Sequence, residues 1–127
     1  MCLIRDKSLA LNQTEAWKVV SVEPNHLSSI YFKYAWSPGS HSTEVDPDNT
    51  AKRVYRGFHA YLTRPQAEYM LLIERRYTTK TLVILRLVVS HENLLAIGHD
   101  FSDMRTAAFS KVEVTEEDYY GVFRCAY

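Results

Sequence analysis

The sequence predicts an α+β domain: a twisted, mainly antiparallel sheet of about five strands, with one main helix packed on it and a short C-terminal helix. Two observations carry this. Five stretches show strand-like alternation or an unbroken branched apolar run, and one central stretch shows a cap followed by helical spacing; mostly strands with one clear helix is the order of an α+β fold. With 127 residues, 46% hydrophobic and 24% charged, the chain buries one core without disulfides or a structural metal, so residues 1–127 read as a single domain.

Taken in order, Ala16 to Val22 (AWKVVSV) sets Trp17, Val19 and Ser21 against Lys18, Val20 and Val22, as a partly buried strand does, and Glu23-Pro24-Asn25 ends it. Ile30 to Trp36 (IYFKYAW) places Ile30, Phe32, Tyr34 and Trp36 on one face and predicts a second strand. Residues 37 to 52 (SPGSHSTEVDPDNTAK) crowd Pro, Gly, Ser, Asp and Asn together and read as one long polar loop, a lid or a partner-binding segment. Val54 to Leu62 (VYRGFHAYL) reads as a third strand interrupted by Gly57. Thr63 then offers an N-cap, Gln66 completes a capping box, and Pro65 sits in the first turn where amides lack partners, predicting a helix over about 64–76.

Thr81 to Val89 (TLVILRLVV) has the near-continuous apolar pattern of a central strand. SHENLLAIG follows as a turn and a short apolar segment, HDFSDMRT as polar loop, and Ala107 to Val114 (AAFSKVEV) as an outer strand. Thr115 with Glu116, Glu117 and Asp118 would cap a last helix that Gly121 keeps short.

Charge and composition exclude several functions. Fifteen basic and fifteen acidic residues leave no field that favours a polyanion, so strong nucleic-acid binding is not expected. No apolar segment approaches a membrane span or a signal peptide, and Cys2 and Cys125 fit no metal-ligand spacing, which together predict a cytoplasmic protein with reduced thiols. His26, His41, His91 and His99 form no zinc-enzyme motif, and no metal ligands are assigned, although His91, His99, Asp100 and Asp103 are the residues that a metal would require to meet. Nine Tyr, five Phe and two Trp are a heavy aromatic load of the kind found at recognition surfaces.

Two candidate surfaces follow. Tyr55, Arg56, Gly57, His59 and Tyr61, beside the start of the helix, have the makings of a nucleotide site: rings to stack, a guanidinium and helix amides to meet phosphate, and a glycine that admits a ligand to the backbone. The competing reading makes Gly57 a β-bulge and His59 a half-buried residue with one satisfied nitrogen. Tyr31, Tyr34 and Trp36, with the 37–52 loop, form the second surface, suited to a partner protein.

Over about residues 54–118, GFHAYLTRPQAEYM followed by LVILRLVVSHENLLAIG resembles the middle of ADP-ribosyltransferase-like domains. The resemblance implies a nicotinamide dinucleotide (NAD) beside His59 and Tyr61, with Glu113 orienting the ribose; the chain departs from the family in its first strand and in lacking a glutamate pair before the last. The MCL opening, the GFH segment and the AAFSKVEVTEE run are also similar to small bacterial and phage proteins, a resemblance that implies a mobile-element origin and no activity. The expectation that follows is a binding protein without a cofactor that inhibits or regulates a host protein, with an ADP-ribosyltransferase-like or nucleotide-binding role as the alternative.

Overall fold

The structure is a computed structural model that describes residues 3–6, 11–30, 33–43, 53–54, 57–100 and 104–125. It corrects the five-strand expectation. Among the described residues eleven strands join in one sheet, every pairing antiparallel, with two α-helices of 11 and 10 residues. The strands are β1 (Leu3–Arg5), β2 (Glu15–Val22), β3 (Leu27–Ser29), β4 (Ala35–Trp36), β5 (Gly39–Ser42), β6 (Arg53–Val54), β7 (Phe58–Tyr61), β8 (Leu82–Val88), β9 (Leu94–His99), β10 (Arg105–Phe109) and β11 (Lys111–Val114); the helices are α1 (Arg64–Glu74) and α2 (Glu116–Cys125). Among the described residues no helix is long and apolar enough to cross a membrane.

The sheet runs β5-β11-β8-β2-β7-β10-β9-β1-β6, with β3 and β4 branching from β2. Only Ser110 separates β10 from β11, yet β10 pairs with β7 and β9 while β11 pairs with β8 and β5. One stretch of chain therefore reconnects the two ends of the series β11-β8-β2-β7-β10, and the sheet has to curl around a common interior. Ala16 and Val20 of β2, Phe58 and Ala60 of β7, Leu85 and Leu87 of β8, Ala107 and Phe109 of β10, and Val112 and Val114 of β11 pack in that interior. The inward positions pass from odd to even numbers at Ser110, because one extra residue shifts the period-two phase and brings both valines back to the core. Ser110 is held by its N–H to Asn93 O at 2.9 Å and by its carbonyl, which accepts from Thr43 N at 3.0 Å.

α1 covers the outer face of the sheet, packing Ala67 and Met70 on Val19, Tyr61 and Leu82. Thr63 caps it in an extended conformation, its Oγ1 accepting from Gln66 N at 3.3 Å. The expected capping box is only half made, since Gln66 Oε1 is buried with no partner among the described residues. α2 starts from a Thr115 cap, Oγ1 accepting from Asp118 N at 3.0 Å, and is tied to the sheet by Arg86, which donates to Asp118 Oδ2 at 2.7 Å and to Glu15 Oε2 at 2.5 Å.

Five expectations change for identifiable reasons. Of the expected strand over residues 30–36, Ala35–Trp36 form β4, which pairs with β3, while Lys33 takes φ 48° and Ser29 N bonds Tyr34 O at 2.8 Å; residues 31–32 lie outside the described residues. The polar stretch 37–52 begins with a strand, β5, whose sequence GSHS has no apolar pattern and is held by its ladder to β11; residues 44–52 lie outside the described residues. The third strand is two, β6 and β7, separated at Gly57. The segment after SHEN is a full strand, β9, and the expected outer strand 107–114 is the pair β10 and β11, with β10 between β7 and β9.

Candidate functional site

The joint between β7 and α1 is the first place to test for chemistry. Gly57 has φ +103°, a left-handed conformation that a side chain rarely adopts, and a Cβ there would meet Leu95 Cδ1 at 2.9 Å and Phe109 O at 3.1 Å. The glycine is thus filled against β9 and β10, which accounts for it without a ligand. His59 and Tyr61 project from the face of β7 opposite Phe58 and Ala60, as alternation requires, but each is 5% exposed. His59 Nδ1 lies 3.1 Å from Gly57 O, to which the ring donates, and the Tyr61 hydroxyl donates to Asp100 Oδ2 at 3.5 Å. Asp100 is itself engaged, accepting from Met104 N at 3.0 Å. Tyr55 and Arg56 lie outside the described residues.

Behind the same strand sits a residue that the sequence reading passed over. Lys18 shares the inward phase of Ala16 and Val20, and its Nζ donates to His59 O at 2.8 Å where β2 and β7 separate beyond their single register pair, Trp17 with Tyr61. Burial of the ammonium lowers its pKa from 10.5 to about 8. A lysine in an alternating strand gives no sequence signal of inward direction unless the register is known.

Glu113, the glutamate expected to orient a ribose, is not in this neighbourhood. It is exposed on β11, accepts from Ser40 Oγ at 3.1 Å, and lines a shallow recess of about 190 Å³ with Ser90, Glu92, Asn93 and Lys111. Strands β8 and β2 stand between β11 and β7 in the sheet. His59, Tyr61 and Glu113 therefore do not line one cleft. Among the described residues no three His, Cys, Asp or Glu side chains are grouped to hold a metal ion; His91 and His99 are among those residues and Asp103 is not.

The aromatic residues of the second surface do gather, around a histidine from the polar stretch. Tyr34, Trp36, His41 and Phe58 form a four-ring cluster with centroids 5.0 to 6.4 Å apart. His41 Nε2 is 2.7 Å from Ser37 O, and a carbonyl only accepts, so Nε2 carries a proton and in the neutral ring Nδ1 accepts from the Tyr34 hydroxyl at 2.6 Å. Trp36 donates to Ser29 Oγ at 2.9 Å and is 1% exposed. Its expected contact with a partner is corrected: the indole is core. Tyr34 retains 37% exposure, and burial of its hydroxyl raises its pKa. Tyr31 lies outside the described residues.

Besides Tyr34, the exposed large apolar residues among those described are Tyr120 on α2 and three on or just past α1. Tyr69 is 52% exposed and Leu72 59%, three positions apart and so on one outward helix face, and Tyr77, just past the helix, is 80% exposed. Arg75 and Arg76, both exposed, stand beside them. On the flank of α1, an open cleft of about 550 Å³ runs between α1 and α2 over β8. The helical spacing of Ala67, Met70, Leu71 and Ile73 marks the side of α1 that packs on the sheet, which leaves Tyr69 and Leu72 outward.

No protein-family model, no curated protein and no solved structure matches the chain.

Proposed function

We propose that this chain is a non-catalytic binding protein that docks on another protein through the outward face of α1 and inhibits or regulates it. The observation that carries the reading is the Tyr69, Leu72 and Tyr77 surface. Tyrosine and arginine beside a large aliphatic side chain are the composition of interface hot spots, and large apolar groups held in water at this density on one short element mark an interaction site. The separation of Glu113 on β11 from His59 and Tyr61 on β7 supports binding over group transfer, since side chains that do not converge cannot act on one substrate. Arg75 and Arg76 favour a partner with an acidic rim.

The double variant Tyr69→Ala/Leu72→Ala tests the reading. Both side chains are exposed, so folding stability should change by less than about 1 kcal/mol. Affinity for a partner recovered with the wild-type protein should fall at least roughly tenfold, whereas Glu113→Gln should leave it unchanged. Equal binding by wild type and the double variant would refute the assignment of α1.

A further inference from the structure

The cleft between α1 and α2 is lined by Leu71 from α1, Val83 and Ile84 from β8, and Gly121 and Val122 from α2, with Arg64 and the pair Glu117 and Asp118 at its walls. Tyr69 and Leu72 do not line it, so it is distinct from the outward face of α1. Its four aliphatic residues are all partly exposed, which leaves an apolar floor in contact with water. Its volume, about 550 Å³, lies in the range of small-molecule sites.

Gly121 makes the cleft more than a gap between helices. It is the sixth of ten residues in α2, a position where glycine costs about 1 kcal/mol of helix stability relative to alanine. Helix-interior glycines usually have a packing reason, a neighbour that a Cβ would strike. Here a Cβ would meet nothing within 4 Å. What the missing side chain does is leave the cleft open.

The charges at the walls indicate what would enter. Asp118 shares the single charge of Arg86, at 2.7 Å, with Glu15, and Arg64 pairs with Glu68 at 3.2 Å. Glu117 has no ion-pair partner among the described residues, so the charge facing the aliphatic floor is net negative, with Glu117 as its unpaired carboxylate. We infer that the cleft is a binding site for a small aliphatic ammonium ion, its hydrocarbon body lying on Leu71, Val83, Ile84 and Val122 and its cationic end meeting Glu117.

The test is a backbone amide NMR titration of the full chain with hexylammonium, hexanol and hexanoate. Shifts should concentrate at residues 83–84 and 117–122, with hexylammonium bound roughly tenfold more tightly than hexanoate. Glu117→Gln should weaken hexylammonium binding by roughly threefold to fivefold without changing that of hexanol. Gly121→Leu, which fills the cleft, should abolish both. Should that variant lose the folded spectrum, Gly121→Met carries the same test, since its unbranched side chain suits a helix and still occupies the cleft. Undiminished binding by a folded Gly121 variant, equal affinity for hexylammonium and hexanoate, or shifts centred elsewhere would each overturn the inference.

Discussion

Replacing Lys18 by methionine should reverse the sign of its effect on stability between neutral and alkaline pH. In the folded chain the Lys18 pKa falls from 10.5 to about 8 because its ammonium is buried. A group depressed in the folded state is protonated more readily in the unfolded one, so between pH 8 and 10.5 the unfolded chain holds more protons and stability rises with pH; below pH 8 both states are charged and the cost is complete. A fall of this size, at about 1.36 kcal/mol per pH unit, corresponds to about 3 kcal/mol, an upper bound that the residue's partial exposure reduces to about 2 kcal/mol. Methionine removes that cost, but it also removes the donor at 2.8 Å from His59 O, worth about 1 kcal/mol. Lys18→Met should therefore be about 1 kcal/mol more stable than wild type at pH 7.5 and about 1 kcal/mol less stable near pH 10.5. Urea unfolding followed by tryptophan fluorescence at both pH values measures it, and tyrosine ionisation cancels in the difference between the two proteins. A stability difference that stays constant with pH would refute the buried ammonium.

Other substitutions test other parts of the structure. Gly98→Ala would drive its Cβ into the backbone carbonyl of Ile4, so β1 should detach from β9 at a cost of about 3 kcal/mol, read by thermal unfolding; an unchanged melting temperature would contradict the pairing of β1 with β9. Tyr34→Phe removes the 2.6 Å hydrogen bond to His41 and should cost about 1 kcal/mol in urea unfolding. Because burial raises the Tyr34 pKa, the folded state retains that proton longer, so wild type should lose stability as pH climbs above about 10, and the phenylalanine variant should lose less. Arg86→Met cuts both links, to Glu15 and to Asp118, and should loosen α2 by about 1 kcal/mol, seen as faster amide exchange in that helix with β8 unchanged.

How far the chain could be read in advance depended on where each structural reason resided. Local reasons were legible: the Thr63 cap and its helix, the branched apolar run of β8, and the Thr115 start of α2. Non-local reasons were not. GSHS is a strand only because β11 lies beside it, and residues 30–36 alternate in sequence yet Lys33, a residue with no turn signature, takes φ 48° just before β4. The phase slip at Ser110, which curls the sheet, is one residue in an otherwise strand-like run. At the candidate site, residue type misled twice: His59 and Trp36 carry chemistry on paper, but the register buries both. Conversely, Tyr69 and Leu72 lie off the Ala67, Met70, Leu71 and Ile73 stripe that packs on the sheet, so helical spacing already turns them outward, although residue type alone reads as core.

Site-specific photo-crosslinking tests the binding proposal most directly. A benzophenone side chain placed at Tyr69, at Tyr77 or at Tyr34 would be irradiated in the cells where the protein is naturally made. The account predicts a discrete covalent adduct from Tyr69 and Tyr77, weakened by Leu72→Ala and absent from Tyr34. Adducts from Tyr34 alone, or none from α1, would contradict it.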